Sequence, residues 1–595
     1  MGTIKNYMWI MIKSRVKEIY QKATELSLDI LIPIYILSLG LELAHFFPTL
    51  NRINIWDEAS YIHSGYRLLT AGEFPNLANS PLSSLFYGIT ILPVINSPDY
   101  FVLANAIGRI ILFSLIFFST CLIARALKPY ANSWIMLAMI VIVPVAAVMF
   151  LFPSDVLFAG FSGLAFWQMI SFYKSRLPRH LWWASAFMGI GMLARAEGLL
   201  LMGVMLVVTV LMILRDQKIS WRILPGLLTP FIMLVVSFIL FYGLSTGDFD
   251  TGLAGRTFYN FESGHEVIYS QTGIFIPTVS ARLESQEAFG TPEENNHSVF
   301  RAILRNPPVY FERLRRSVPS FVKFTTRAYG HKFILIFGWL SLRGLIALIR
   351  DRHCPLAVMS ILWFIPLGVG WLNTFFREGY FLMPYFVVFS LSSIGLTRII
   401  QNFDDKKEQI GIVIASSLLV LVSLVAGNTT MLYRGVLFIL GLGLIYLLRL
   451  RIRDFSRWRN HALWLLLAVV LVMRGGYPSP ELPDYGNSGL EQSVYFLQDH
   501  FQAGSHILSG APANIWAARM IYYGINAYDI PDFADENEFL IWIQAQDIHA
   551  LYIDQHFPAA YKDMALSLVG EGLEEIYTTS NRGILIYQVD SRGDL

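Results

Sequence analysis

Long apolar runs separated by short polar breaks fill the first 475 residues of the chain. A helix needs about 20 residues to cross the hydrocarbon of a bilayer, so runs of about 18 or more predict spanning helices. About thirteen occur, near 28–47, 100–124, 132–152, 155–173, 180–195, 197–214, 223–244, 332–349, 355–373, 379–397, 410–427, 431–448 and 461–475. The first is too long for a signal-peptide core and ends without a small-x-small cleavage site, so it reads as an uncleaved anchor. The fold class expected is an α-helical polytopic membrane protein of about 13 transmembrane helices.

The breaks carry a second pattern. Lys13, Arg15, Lys17 and Lys22 precede the first run, Arg125 and Lys128 follow the second, and Lys174, Arg176 and Arg179 follow the fourth. Arg215, Lys218 and Arg222 follow the sixth, Arg350 and Arg352 the eighth, Lys406 and Lys407 the tenth, and Arg449, Arg451, Arg453 and Arg457 the twelfth. Short basic loops mark the cytoplasmic side. The alternation makes residues 1–27 a cytoplasmic N-terminal segment and 28–475 the membrane domain. Loops 48–99 and 247–331 then lie outside, as does a C-terminal domain, 476–595. The expected location is the plasma (inner) membrane, multi-pass.

Past residue 475 the apolar runs stop, and Tyr477 to Pro483 reads as a linker. Helical patterns over Gln492–Phe501, Ala513–Tyr523, Glu536–Gln544 and Ala560–Val569 alternate with strand patterns over Ser505–Ser509, Ala550–Asp554 and Gly583–Val589. This predicts a small C-terminal α/β soluble domain with a partly parallel sheet. It contains no Gly-rich phosphate loop and no nucleophile elbow.

Composition agrees with the patterning. The chain has 595 residues, 55% of them hydrophobic, and only 15% charged, against roughly 25% charged in soluble domains. A formal net charge of +2 gives no reason to expect nucleic acid as a partner. Cys121 and Cys354 have no nearby partner, so neither a disulfide nor a cysteine zinc site is expected.

The candidate chemistry begins just after the first span, in the segment from Trp56 to Tyr66. Read as a helix, Asp57, Tyr61 and Ser64 fall at i, i+4, i+7 on one face. Asp57 and Glu58 also suit a first helical turn as dipole-complementing acids. After a break at residues 71–75, Ser80 and Pro81 predict the N-cap and first turn of a second helix running to about Ile91. These two short helices are expected to lie flat at the interface.

Other charges sit at outer helix ends: Asp155 after Pro153-Ser154, Arg195 and Glu197 between the fifth and sixth spans, and Arg377 and Glu378 at the tenth. Arg109 lies within the second span, where a charge costs about 2.5–3.5 kcal/mol on insertion scales unless it faces a cavity. Their one-sidedness predicts a polar pocket at the outer interface. The second outer loop adds Arg301, Arg305, Arg313, Arg315, Arg316, Lys323 and Arg327 among aromatic residues, a pattern for contact with lipid head groups. Asn306-Pro307-Pro308 divides that stretch into two helices. His265 and His297 read as ordinary surface residues.

These residues resemble the GT-C membrane glycosyltransferases, in the branch of protein O-mannosyltransferases, aminoarabinose transferases and RgtA/B/C/D-like enzymes. Asp57-Glu58-x-x-Tyr61 with Ser80-Pro81-Leu82 is the most specific likeness. Ser154-Asp155, the turn from Leu193 to Gly198 and the element from Glu378 to Pro384 follow in order. The likeness covers most of residues 28–400. The chain departs from the family's Arg-Tyr-x-x-Pro, with Gly379-Tyr380 in its place and Arg377 displaced.

The resemblance implies a GT-C-like membrane domain and transfer of a sugar, with inversion, from a polyprenyl-phosphate donor to an acceptor hydroxyl on the extracytoplasmic face. The acceptor class, glycan, lipid or protein, stays open. Asp57 would be the general base and Glu58 a second catalytic acid; Asp155, Tyr61 and Glu197 would assist the acceptor or a metal. Arg109, Arg195, Arg301, Arg305 and Arg377 would meet the donor phosphate. The cofactor also stays open between a divalent cation (Mg2+ or Mn2+), held by Asp57 and Asp155, and none. A polytopic lipid or sugar transporter or flippase would share the spans and charges, but it places its site at midplane on repeated halves, and no internal repeat is found. A non-catalytic envelope scaffold would tolerate loss of Asp57.

Overall fold

The computed structural model describes residues 57–97, 99–132, 153–216, 219–269, 279–328, 334–373, 381–401 and 490–590, the last apart from 511–512, 525–532, 555–556 and 580–582, with a few positions between 32 and 40. The first described helices are α1 (Asp57–Ala71) and α2 (Pro81–Ile91), followed by the long α3 (Tyr100–Ala126). Then come α4 (Pro153–Ser175), α5 (Pro178–Ala194), α6 (Gly198–Arg215) and α7 (Leu224–Thr246). The second outer loop supplies α8 (Leu253–Tyr269), α9 (Val279–Phe289), α10 (Val299–Arg305) and α11 (Pro307–Ala328), divided at Asn306 as its two prolines predict. After it come α12 (Ile334–Arg350), α13 (Cys354–Leu362), α14 (Ile365–Asn373) and α15 (Tyr385–Gln401).

Five segments among the described residues are long and apolar enough to cross a membrane: Tyr100–Ala126, Pro153–Ser175, Gly198–Arg215, Trp221–Thr246 and Cys354–Asn373. The last is broken at Trp363-Phe364, with Pro366 in the first turn of α14. Three further predicted spans are the 17-residue helices α5, α12 and α15. The runs near 28–47, 132–152, 410–427, 431–448 and 461–475 lie wholly or mainly outside the described residues.

The two ends of the bundle differ in the way the loop charges predict. At one end the basic loops meet. The Lys174 Nζ donates to the Ala126 carbonyl (3.1 Å), Arg215 to the Arg352 carbonyl (2.9 Å), and Arg176 pairs with Asp216 (3.2 Å). Loops after the second, fourth, sixth and eighth predicted spans therefore share one face. Between the ends lies one core of buried Leu, Ile, Val, Met and Phe, including Leu112, Phe158, Met188, Met205, Trp363 and Phe386.

In a bilayer the apolar effect does not drive helices together, so close approach at small residues does. α12 and α15 show this. The Ser341 and Ser392 hydroxyls lie 2.9 Å apart, Ser341 donates to the Val388 carbonyl and Ser392 to the Phe337 carbonyl, 3.1 Å each. Gly344 and Gly395 continue the stripe; a Cβ on Gly344 would collide with the Leu391 carbonyl, and one on Gly395 with the Leu340 carbonyl.

The C-terminal domain holds α16 (Leu490–His500), β1 (His506–Ser509), α17 (Ala513–Ala517), β2 (Ile521–Gly524), α18 (Glu536–Ala545), β3 (Ala550–Ile553), α19 (Ala559–Ser567), β4 (Leu573–Thr578) and β5 (Leu585–Val589). The sheet order is β2-β1-β3-β5-β4. β1 runs parallel to β2 and β3, while β5 is antiparallel to β3 and β4. The partly parallel sheet is as expected, with two corrections. Ala513–Tyr523 is not one helix: Arg519 takes a left-handed φ of 63°, α17 ends ahead of it, and β2 begins beyond. β4 was not foreseen, because as an edge strand with a register shift between Glu575 and Tyr577 it lacks a clean alternation of buried residues.

Gly344→Val is expected to force α12 from α15 and to cost about 1–3 kcal/mol, the usual range for overpacking. Thermal unfolding of the detergent-solubilised protein would read this as a lower midpoint, with Gly338→Val, which has open space around it, as the control.

Candidate active site

α1 begins with two acids in its first turn, where they complement the helix dipole. Its buried positions, Glu58, Ala59, Ile62 and Gly65, follow helical spacing and face inward. Gly65 allows α1 to lie on α2: a Cβ there would stand 2.6 Å from the Gly88 nitrogen and 2.9 Å from the Ser84 carbonyl oxygen. α2 starts at Pro81 as predicted, but Ser80 is not a conventional cap. Its φ is 54°, and its hydroxyl pairs with that of Ser83 at 2.6 Å rather than with a backbone N–H.

Glu58 is fully buried, and its Oε2 and Oε1 take the Arg109 Nη2 at 3.2 and 3.4 Å. Arg109, only 6% exposed, comes from the interior of α3. α1 is thus fastened to α3 by a buried ion pair. One turn along α1, the Tyr61 hydroxyl donates to Ser154 Oγ at 3.2 Å. Ser154 stands beside Asp155 in the first turn of α4, and Asp155, also fully buried, pairs with Arg195. Arg195 ends α5 in extended conformation and turns its guanidinium into Glu197 as well, with Nη2 to Oε1 at 2.7 Å and Nε to Oε2 at 3.1 Å. The convergence of charges expected from their one-sidedness is present.

The structure thus brings together Glu58, Tyr61, Arg109, Asp155, Arg195 and Glu197, from α1, α3, α4 and the α5–α6 turn. Asp57 opens α1, one residue from Glu58, but its side chain lies outside the described residues, as does Arg377. Arg301 and Arg305 stand apart. Both are exposed, Arg305 pairs with Glu294 at 2.7 Å, and no contact among the described residues joins either to the cluster. Arg313, in the same loop, is fully buried and donates to the Phe261 and Asn373 carbonyls at 2.8 and 2.9 Å. His265 is buried against Phe289 rather than at the surface.

Sequence reasoning missed the polar lining between α1, α2 and α3. The Tyr87 hydroxyl, Ser84 Oγ and both amide atoms of Asn105 are buried and make no hydrogen bond among the described residues. Burial holds the Tyr87 pKa well above its usual value, with Glu58 adding to the rise and Arg109 opposing it. Asn105 sits four residues before Arg109 and shares its helix face, a signal that was readable. Tyr87 gave none.

The C-terminal domain closes on the same helices. Trp516 stacks flat on His63 of α1, ring centroids 4.6 Å apart, and its carbonyl accepts from the Tyr100 hydroxyl at 3.1 Å. Arg519 donates to the Ile95 and Ser97 carbonyls at 3.1 and 3.3 Å and covers the Tyr100 ring, while Tyr495 bonds Asp99. These bonds account for the left-handed Arg519 that ends α17.

This layout has counterparts among solved structures. The chain is similar to ArnT, the aminoarabinose transferase, from Cupriavidus metallidurans in the apo state: TM-score 0.54 and 14% identity over 93% of this chain and 98% of that one. The same protein bound to undecaprenyl phosphate gives a TM-score of 0.51 and 13% identity over 93% of this chain and 97% of that one. The fold is GT-C. No protein-family model matches the chain, and no curated protein matches it in sequence, so the GT-C likeness rests on structure. With its apolar helices it places the chain in a membrane.

Breaking a buried ion pair by removing one partner typically costs 3–5 kcal/mol, because the remaining charge is left uncompensated. Arg109→Met is expected to lie near that range, about 3–5 kcal/mol, and Glu58→Gln with Arg109→Met to restore much of the loss. A double-mutant cycle on unfolding midpoints checks the coupling.

Burial, reinforced by Arg67 and opposed by Glu73, lowers the His63 pKa to about 4. Docking of the C-terminal domain should therefore be complete above the ordinary histidine pKa of about 6.5. It should weaken as pH falls from there toward 4, as the undocked imidazole takes a proton that the stacked one resists. Hydrogen-exchange protection of α17 measured across that interval reads the change, and His63→Phe should abolish it.

Proposed function

We propose that the chain is an integral-membrane glycosyltransferase that moves a sugar from a polyprenyl-phosphate donor to an acceptor hydroxyl at the extracytoplasmic face, with inversion. One observation carries this reading. The helix that begins with Asp57 is pinned by Glu58–Arg109 and Tyr61–Ser154 beside the Asp155–Arg195–Glu197 group. It does so on the fold of a transferase whose solved structure holds undecaprenyl phosphate. The full count of about thirteen spans, the cytoplasmic N-terminus and the extracytoplasmic C-terminal domain belong to the same proposal. The meeting of the basic loops at the other end of the bundle supports them.

Asp57 takes the acceptor proton while the acceptor oxygen bonds to the anomeric carbon and the bond to the phosphate oxygen breaks. An ordinary aspartate, with a pKa near 3.9, is a weak base, and desolvation at the interface strengthens it. Glu58, held by Arg109, orients the helix rather than touching substrate. Arg195 is the more exposed arginine of the cluster, 12% against 6% for Arg109, and is the one that meets the departing phosphate. Tyr61, Asp155 and Glu197 shape the acceptor side. A divalent cation held by Asp57 and Asp155 would have to compete with Arg195 for Asp155. Arg301 and Arg305, which stand apart from the cluster, serve lipid head groups at the entry of the donor.

Asp57→Asn is expected to lower transfer by about 10²–10⁴-fold, the usual share of general-base catalysis, with folding unchanged. Mass spectrometry of envelope glycans and glycolipids from a strain lacking the protein identifies sugar and acceptor. Release of free lipid phosphate by the purified wild-type protein, lost in Asp57→Asn, then tests the reaction. A strain with an unaltered envelope, or full release by Asp57→Asn, would count against it.

A further inference from the structure

The C-terminal sheet carries a second cluster of reactive side chains, made of residues other than the acid–arginine group. His506 opens β1 and His549 immediately precedes β3, two parallel neighbours with Ile507 opposite Ala550. That register sets the histidines side by side. The His549 N–H donates to the His506 carbonyl at 2.9 Å, and the His506 N–H lies 3.3 Å from His549 Nδ1. Asp547, two residues earlier, has a left-handed φ of 54°, and its Oδ2 lies 3.8 Å from His506 Nδ1. One ligand atom from each of the three lies within 4.8 Å of the others.

The histidines have firm footing. β1 and β3 occupy the middle of the sheet, and Ile507 and Ala550, the residues next to the histidines, are fully buried. His506 Nδ1 also lies 3.2 Å from the Asp547 carbonyl. Asp547 and His549 are exposed and can adjust. Closing three donors to the spacing of about 3.3 Å that bonds of about 2.0–2.2 Å require is within reach of side-chain rotation.

We propose that His506, Asp547 and His549 bind a late first-row divalent cation, with zinc the best match. Two imidazoles and one carboxylate are a zinc donor set that leaves a fourth position for water or for a donor from another molecule, and imidazole disfavours magnesium and calcium. The cation would join the entry ends of β1 and β3, a role separate from sugar transfer.

The test uses the full-length protein, purified in detergent, stripped with chelator and titrated with zinc sulfate against a chromophoric competitor. The expected result is one zinc per chain and a raised unfolding midpoint. Asp547→Asn, at an exposed position that leaves the fold intact, and His549→Ala should each weaken binding by at least about tenfold, the lower end of what loss of a metal-site partner costs. His297→Ala, at an exposed histidine in the second outer loop, should not. Cobalt should give a visible absorption band that Asp547→Asn alters. Failure to bind zinc, or binding that His549→Ala and Asp547→Asn leave unchanged, overturns the proposal.

Discussion

The buried pair of Glu58 and Arg109 is the contact on which the charged cluster depends. An arginine inside a span is costly unless a partner meets it, and a carboxylate with no exposed surface is equally costly alone. Each removes the other's penalty, and in doing so they fasten a loop helix to the membrane bundle. α1 is too short and too polar to stand by itself. Fixed at Glu58, it brings Tyr61 to Ser154, the neighbour of Asp155 in the second charged group. Position and chemistry are thereby linked: the acid that holds the helix is the neighbour of the acid assigned to the proton.

The second charged group is built differently. Asp155 comes from the first turn of α4, while Arg195 and Glu197 come from the tight turn that joins α5 to α6. Arg195 lies between two carboxylates, so its charge is shared, and a phosphate approaching it competes with groups already in place. In the proposed reaction the departing phosphate takes the place of one of these carboxylates on Arg195. Arg305 is tied to Glu294, and Arg313 is committed to backbone carbonyls of α8 and α14.

The C-terminal domain is fastened to the same helices through Trp516, Arg519 and Tyr495, and Ala517 enters the apolar cluster of Ile62, Tyr87 and Tyr100. The stack on His63 works with a neutral imidazole. Docking is therefore tied to acidity at α1. In the sheet of this domain two adjacent parallel strands line up their histidines where they begin.

Much of this was legible in the chain. Apolar runs predicted the long helices of the described bundle, because a helix in lipid must be continuously apolar. Charges at outer helix ends predicted a cluster, because lipid makes isolated charge expensive. The identity of most cluster members followed from those two facts. What the chain could not say is who pairs with whom. Arg109 is paired with Glu58, Arg305 with Glu294, and Arg519 ends a helix that its local sequence would continue. Tyr87, Trp516 and the edge strand β4 carry no periodic signal, since their surroundings come from residues distant along the chain. Local sequence thus determined which segments are apolar, helical or charged, whereas partners were decided only by packing, because burial and ion pairing depend on what the folded neighbours bring.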